Sequence, residues 1–354
     1  MSRLKVLVLM GGNSPEREVS LSTGCQILGA LDPERYEAVG MDAAVLSLHP
    51  FTRDSEDMLL GAEDCNEEVD EILSELPKKI ATVMSDDASG SMLTEGKKPA
   101  KAPDVVFIAM HGPGGEDGKI QGLLDTLRIP YTGSGVLASA LAMNKVMSKR
   151  LLRAVGIPVP RDMVIARGDD VSDLIDRVSK SLGWPVIVKP NEQGSTIGMS
   201  IVRRSEDLGE AIKLALRYDR VALIEEYIQG VEITAGLIGN ENPRVLPLIE
   251  IVTPTGFYDY EAKYKAGGSE HIIPARIPDE LTRKAQAIAA QVHAELGCRG
   301  MSRVDMMGRG DEIFVLEANT IPGMTPTSLL PQAAEAAGIG FGELLDEIIQ
   351  LAVK

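Results

Sequence analysis

The N-terminal stretch KVLVLM reads as a buried strand, and it runs straight into GGNSPEREVSL, after which Val19, Thr23, Ile27 and Leu31 recur at helical spacing. A strand handed to a helix through a glycine turn implies a layered arrangement in which helices cover a sheet. The pattern repeats. DVVFIAM at 104–110 and the segment around IPYTG read as further strands, with a helix from Lys119 to Arg128 between them, so this region predicts alternating β and α elements with a parallel sheet. A first domain is expected to end near Gly133, giving a unit over residues 1–133.

Beyond Ser134 the order changes. A long helix closing at Gly156 precedes the strand PRDMVIA, a helix near 171–182, WPVIVKP, a loop, GMSIVRR, a helix near 206–217 and VALIEEY, which together predict a small α+β unit over 134–226. The remainder, 227–354, offers the strands VEITAGLIG and RVLPLIEI and a loop from Thr253 to about Gly268. It continues with a helix from Asp279 to Leu296 closed by Gly297. SRVDMMG and EIFVLEA follow as two strands meeting at a turn around Arg309 to Asp311, and Phe341 to Val353 form a last amphipathic helix. Residues 51–101 stand apart as an insertion: Val69, Ile72, Leu73 and Leu76 are spaced for one surface helix, and SDDASGSMLTEGKKPAKAP predicts a loop.

A chain of 354 residues, 44% of them hydrophobic, is long enough for two or three buried cores. No apolar run approaches the roughly 18 to 20 residues that cross a bilayer, so no membrane span is expected. Cys25, Cys65 and Cys298 are scattered and odd in number, which argues against a disulfide framework and suits a reducing cytoplasm. The formal charge of −16 disfavours nucleic acid as a partner and leaves any phosphate chemistry to a few placed lysines and arginines.

Several segments carry residues suited to such chemistry. VIVKPNEQGSTIGMS sets Lys189 at a strand end before a loop with Gly194, Ser195, Thr196 and Gly198, whose backbone N–H groups and hydroxyls could close over phosphates; a plain hairpin turn explains it equally well. LIEEYIQGVE places Glu225, Glu226 and Glu232 near strand ends, where carboxylates and carbonyls accept from an adenine amino group or ribose hydroxyls, although exposed strand-end acids are common. Arg303 and Asp305 share one face of their strand and Glu317 and Asn319 share one face of theirs, so the turn between can assemble two carboxylates, an amide oxygen and a cation. Those oxygens suit magnesium; the alternative is an ordinary cross-strand pair of Arg303 with an acid. In NTIPGMTPTSL, Gly323 and the helix start at Ser328 could receive an oxyanion and a carboxylate, or form a simple turn before a capped helix. Glu16 stands at a helix start where capping with Asn13 would also account for it, His111 lies in the glycine-rich AMHGPGGEDG, and Lys145 sits in the long helix.

Taken in order, GGNSPEREVSL, HGPGGEDG, YTGSGVLASALAMNK, VIVKPNEQGSTIGMS, FYDYEAKY, SRVDMM and LEANTIPGMTPTSL resemble the D-alanine–D-alanine ligase family of the ATP-grasp superfamily across nearly the whole chain, 51–101 excepted. The resemblance implies an α/β (α+β) chain with a three-domain ATP-grasp fold, an N-terminal parallel-sheet domain, and ATP held between the central and C-terminal domains. It makes Glu16 the partner of the first D-alanine's ammonium, puts His111 near that substrate and the transferred phosphate, and has Ser195 and Tyr264 link the closing loops. It gives the ATP phosphates to Lys145 and Lys189, and adenosine to Glu225, Glu226, Ile228 and Glu232. Two magnesium ions, with manganese as a substitute, go to Asp305, Glu317 and Asn319. Arg303 and the Gly323 backbone support the oxyanion, and Ser328 with Leu329 receives the second carboxylate. Where family members often carry a second serine, this chain has Thr196, which keeps the hydroxyl and adds a methyl.

The reaction so implied joins two D-alanines through an acyl phosphate to make a peptidoglycan precursor in the cytoplasm, in a homodimer, with a monovalent-cation requirement left open. The nearest alternative uses D-lactate or D-serine as second substrate. A non-catalytic nucleotide-binding protein would be expected to lack the metal ligands. A nicotinamide-dependent oxidoreductase would need a G-x-G-x-x-G turn that GGNSPE does not provide.

Overall fold

The computed structural model of the protein describes residues 3–44, 103–253 and 269–354. The 51–101 region, Cys65 and the FYDYEAKY segment with Tyr264 lie outside the described residues. The chain divides into two compact units, Met1–Gly133 together with Ile321–Lys354, and Ser134–Thr320.

In the first unit, β1 (Leu4–Met10) is the middle strand of a parallel sheet, flanked by β2 (Tyr36–Asp42) and β3 (Val105–Ile108). Its run of Val6, Leu7, Val8, Leu9 and Met10 is buried throughout because a central parallel strand is covered on both faces. The predicted parallel sheet is therefore present. Helix α1 (Arg17–Ala30) follows the glycine turn, and α2 (Lys119–Leu127) ends at Arg128 in the left-handed conformation. β2 is an element that the sequence reading passes over, since YEAVGMD carries two acids and a glycine and shows no clean alternation.

The C-terminal tail differs from expectation. The sequence division groups residues 321–354 with 227–320, whereas in the structure they pack with the N-terminal residues. Of the tail helices, α8 (Leu329–Ala336) and α9 (Phe341–Val353), the latter buries Leu344, Leu345, Ile348 and Ile349 and packs on α1 and β3. Tyr36 hydrogen-bonds Asp346, and Arg35 pairs with the same carboxylate at 2.7 Å. An amphipathic pattern says that one helix face is covered without saying by what.

The second unit holds two antiparallel sheets. One has the order β4 (Asp162–Ala166), β7 (Val221–Glu226), β5 (Val186–Pro190), β6 (Ser200–Val202). Its core, built on Val186, Val188, Ala222 and Ile224, is completed by Val178 and Ala215 from helices α5 (Leu174–Ser181) and α6 (Leu208–Tyr218). The other sheet runs β11 (Glu270–Ile272), β10 (Ile249–Val252), β8 (Val231–Ile238), β12 (Met301–Arg309), β13 (Glu312–Asn319), with β9 (Arg244–Val245) on β8. It packs on helix α7 (Asp279–Glu295), whose Ala285, Ala289 and Val292 are fully buried. RVLPLIEI is split into β9 and β10 around Pro247, which has no N–H for a ladder bond.

The single long helix expected from Ser134 to Gly156 is two helices, α3 (Val136–Met143) and α4 (Lys145–Ala154). Asn144 leaves helical geometry between them (φ −85°, ψ 94°), and its side chain accepts from Met147 N at 3.0 Å. An asparagine offering its carbonyl to a free N–H starts a new helix in place of continuing the old one. This places Lys145 in the first turn of α4.

Candidate functional site

Lys189 and Glu225 form the floor of a cleft in the second unit, with Lys149 beneath them. Antiparallel pairing of β5 with β7 sets Ile187 opposite Glu225, so Lys189, two residues further along β5, points to the same face as Glu225. Lys189 Nζ lies 2.9 Å from Glu225 Oε2, and Lys149 Nζ, reaching from α4, lies 2.9 Å from Oε1. Glu225 is 2% exposed. Burial pushes its carboxyl upward, and the two lysines outweigh that and hold it below the usual carboxylate range. Burial likewise pulls Lys149 down, opposed by Glu225.

The loop after β5 is tied to the start of α4. Lys145 Nζ donates to Gln193 O at 2.7 Å, Val146 N donates to Asn191 Oδ1 at 2.8 Å, and Asn144 Nδ2 donates to Glu192 Oε1 at 2.6 Å. Ser195, Thr196 and Gly198 all take positive φ (48°, 64° and 72°). Left-handed residues in close succession turn backbone N–H groups inward, the arrangement that receives anions, and the two non-glycine members pay a conformational cost for it. A Cβ on Gly198 would fall 2.6 Å from Tyr218, so glycine is required there for space as well as for φ.

The hairpin of β12 and β13 supplies the opposite wall. Register pairs Arg303 with Asn319 and Asp305 with Glu317, then shifts between Asp305 and Met306 so that Met306 faces Val315 and Leu316 is the extra residue of a β-bulge. Strict alternation along EIFVLEAN would put Glu317 and Asn319 on the core face with Ile313 and Val315. The bulge reverses the phase, so Ala318 is buried while Leu316 and Glu317 both line the cleft. Arg303 holds Asp305 through Nε and Nη2, each at 2.8 Å, and the Thr234 hydroxyl donates to Asp305 at 2.6 Å. Glu317 lies 3.3 Å from Lys145 Nζ, which the break at Asn144 has brought into the cleft at 6% exposure. Lys145 is thus buried, unlike the solvated lysine of a continuous helix. The acid that Arg303 grips, Asp305, lies on its own strand, whereas the alternative reading of this hairpin predicts a cross-strand pair.

Glu226, Ile228 and Glu232 line the same cleft as Lys145, Lys189, Glu225, Asp305 and Glu317. Glu226 is committed elsewhere, because Arg161 donates to it from Nε at 2.7 Å and from its backbone N at 3.0 Å. Burial raises the Glu226 carboxyl and the Arg161 contacts more than offset this, leaving it below the usual range. Thr196 and Gly194 also reach the cleft.

In the first unit, Glu16 takes the N-cap position of α1 without a side-chain capping bond, so the Asn13 capping arrangement is not formed. Its carboxylate lies against the turn after β3: a Cβ on Gly112 (φ +74°) would fall 2.7 Å from Glu16 Oε2. His111 is buried, with Nε2 3.0 Å from Thr23 Oγ1 and its backbone N donating to Ser20 Oγ at 2.8 Å. Ser14 Oγ donates to His111 O at 2.7 Å and accepts from Glu16 N at 3.1 Å, joining the two turns. Buried Asp42 pins the glycine turn by accepting from Gly12 N at 2.9 Å and pairing with Arg17. Gly323 and Ser328 are close as well: a Cβ on Gly323 would lie 2.9 Å from Ser328 Oγ, which accepts from Thr325 N at 3.1 Å, and Leu329 opens α8 behind it.

Lys149, Arg161, Thr234 and Asn191 are residues of this neighbourhood that the motif reading leaves out. Lys149 had a signal available, a lysine one turn beyond Lys145 on the same helix face.

Comparison with known proteins finds a family profile described as D-ala D-ala ligase N-terminus over residues 5–134, and one described as D-ala D-ala ligase C-terminus over 151–350. The chain is 45% identical to a D-alanine–D-alanine ligase of Syntrophobacter fumaroxidans, covering 99% of this chain and 98% of that one. Among solved structures it is similar to the D-alanine–D-alanine ligase of Coxiella burnetii, with TM-score 0.82 at 29% identity, covering 100% of this chain and 94% of that one. It is also similar to the Bacillus anthracis D-alanine–D-alanine ligase complexed with ATP, with TM-score 0.73 at 31% identity, covering 99% of this chain and 97% of that one.

Proposed function

Because this chain belongs to the D-alanine–D-alanine ligase family, we propose that its second-unit cleft holds ATP and that the residues named above carry out the ligation. The protein is an ATP-dependent ligase that joins two D-alanines to D-alanyl-D-alanine for the cell wall. One observation supports the residue assignment most: Lys145, Lys189, Glu225, Asp305 and Glu317, taken from five separate segments of the sequence, line a single cleft.

Lys145 and Lys189 take the phosphates, and Glu226, Ile228 and Glu232 with Glu225 surround adenosine. Two carboxylates and an amide oxygen on one sheet face, already attracting Arg303 and Lys145, are a hard-donor set that fits magnesium. Asp305, Glu317 and Asn319 would hold it, and manganese would fit the same oxygens. Bound there, the ion would offset the negative charge of the phosphates.

Glu16 holds the first D-alanine's ammonium, and His111 lies near that substrate and the transferred phosphoryl group. The substrate carboxylate attacks the γ-phosphate, breaking its bond to ADP and giving D-alanyl phosphate. Ser328 and the N–H of Leu329 receive the second D-alanine's carboxylate. Its neutral amine attacks the acyl phosphate carbon, Arg303 and the Gly323 backbone stabilise the resulting oxyanion, and collapse expels phosphate to leave the dipeptide. Ser195 with Tyr264 closes the site, because an acyl phosphate exposed to water hydrolyses. A cytoplasmic homodimer completes the reading; among the described residues, no helix is long and apolar enough to cross a membrane.

The test is phosphate release from ATP with D-alanine alone, then with D-lactate or D-serine added, followed by product identification. D-alanine alone should suffice and yield D-alanyl-D-alanine. A product dominated by the mixed species, or no release without it, would overturn the choice of second substrate.

A further inference from the structure

Lys149 is a buried ammonium that touches no part of the cleft surface. Its side chain is 2% exposed, it is absent from the cleft lining, and it meets Glu225 from behind at 2.9 Å while Lys189 meets the same carboxylate from the cleft side at 2.9 Å. Its partner is the Glu225 carboxylate, met at ion-pair distance. Burying an ammonium this way is costly, and a methionine of similar length would fill the space without that cost. A purely structural role does not account for a lysine here.

Charge does account for it. Glu225 with Lys189 alone would be a neutral pair, and Lys189 would present little net charge to an anion. With Lys149 included, two ammoniums share one carboxylate and the cluster carries one net positive charge, displayed on the only member of the three that is both cationic and in the cleft. We propose that Lys149 is a positioning residue for nucleotide phosphates: it occupies Glu225 from beneath, so that Glu225 orients Lys189 without cancelling it. This rests on the reading of the cleft as the ATP site.

The experiment measures dissociation constants of ATP and of adenosine for the full-length protein and for Lys149→Met, Lys149→Arg and the double variant Lys149→Met/Glu225→Gln. Lys149→Met should weaken ATP by roughly tenfold, as expected for one partly screened charge nearby, and change adenosine by no more than about twofold. Lys149→Arg should keep the wild-type ratio of the two constants. The double variant deletes one charge of each sign and restores the net positive charge, so its ratio should return towards wild type even though adenosine itself binds less well. If Lys149→Met does not fold, the double variant, which buries neither charge, decides alone: a preserved ratio supports the proposal and a reduced one overturns it. An unchanged ratio in folded Lys149→Met overturns the proposal while leaving the ATP site intact. A wild-type protein that binds no ATP overturns the nucleotide reading and the inference with it.

Discussion

Replacing Arg303 with methionine separates two things this residue does. Its Nε and Nη2 groups grip Asp305 at 2.8 Å each, with both side chains 13% exposed. Loss of an oxyanion donor is expected to lower kcat by about 100- to 1,000-fold, or about 2.7–4 kcal/mol of barrier. Loss of the ion pair strands Asp305 with the Thr234 hydroxyl 2.6 Å away. Removing one partner of a fully buried pair costs about 3–5 kcal/mol, and partial access of water here should reduce the stability loss to about 1–3 kcal/mol. Because Asp305 is assigned to magnesium, Mg-ATP should raise the unfolding temperature of Arg303→Met more than that of the wild type. Steady-state kinetics, ATP calorimetry and thermal unfolding with and without Mg-ATP measure all three. A kcat close to wild type with only ATP affinity changed would confine Arg303 to the nucleotide, and equal ligand-induced shifts would remove Asp305 from the metal site.

Glu317→Gln keeps volume and removes one charge facing Lys145, so the fold should persist while most turnover is lost; near-normal turnover at physiological magnesium would contradict the metal assignment. Gly112→Ala forces a methyl towards Glu16 Oε2 at a φ of +74° and should raise the KM for the first D-alanine by roughly tenfold with ATP affinity unchanged, whereas an unaltered KM would separate Glu16 from that substrate. His293, buried and bonded to Ser302 at 2.7 Å, has its pKa lowered by burial from 6.5. The unfolded chain then binds the proton first, so stability should fall as pH drops below about 6.5 towards the folded value, by up to about 1.4 kcal/mol per pH unit. In His293→Gln that slope should vanish from pH-dependent unfolding curves, and its survival would locate the effect elsewhere.

Where a side chain's surroundings are set by local pattern, the amino-acid order made them legible. KVLVLM and its glycine turn, the strand carrying Lys189 and the closing Gly297 all follow from periodicity and glycine stereochemistry. Lys145 did not, because whether ALAMNKVM continues as one helix or restarts depends on Asn144 finding Met147 N, a competition that helical spacing cannot register. The tail's partner was equally hidden: Leu344, Leu345, Ile348 and Ile349 announce a covered face, but only tertiary packing selects α1 and β3. Lys149 escaped for a different reason. Its influence passes through Glu225, so motifs defined by what touches a ligand overlook it.

The extra residue at Leu316 makes the two halves of β13 independent in the way they face. On one side of it Glu317 and Asn319 pair with Asp305 and Arg303 in regular register, and on the other Ile313 and Val315 keep the core face. Deleting Leu316 would therefore restore strict alternation with Val315 inward and Glu317 and Asn319 still on the cleft face, whereas ironing out the bulge with Leu316 kept would turn both ligands towards the hydrophobic interior. A one-residue deletion that inverts an ordinary strand thus preserves the ligand face at this one position. Anyone transplanting the Asp305, Glu317 and Asn319 trio into another hairpin needs the regular pairing on the ligand side of the bulge and can leave the bulge behind.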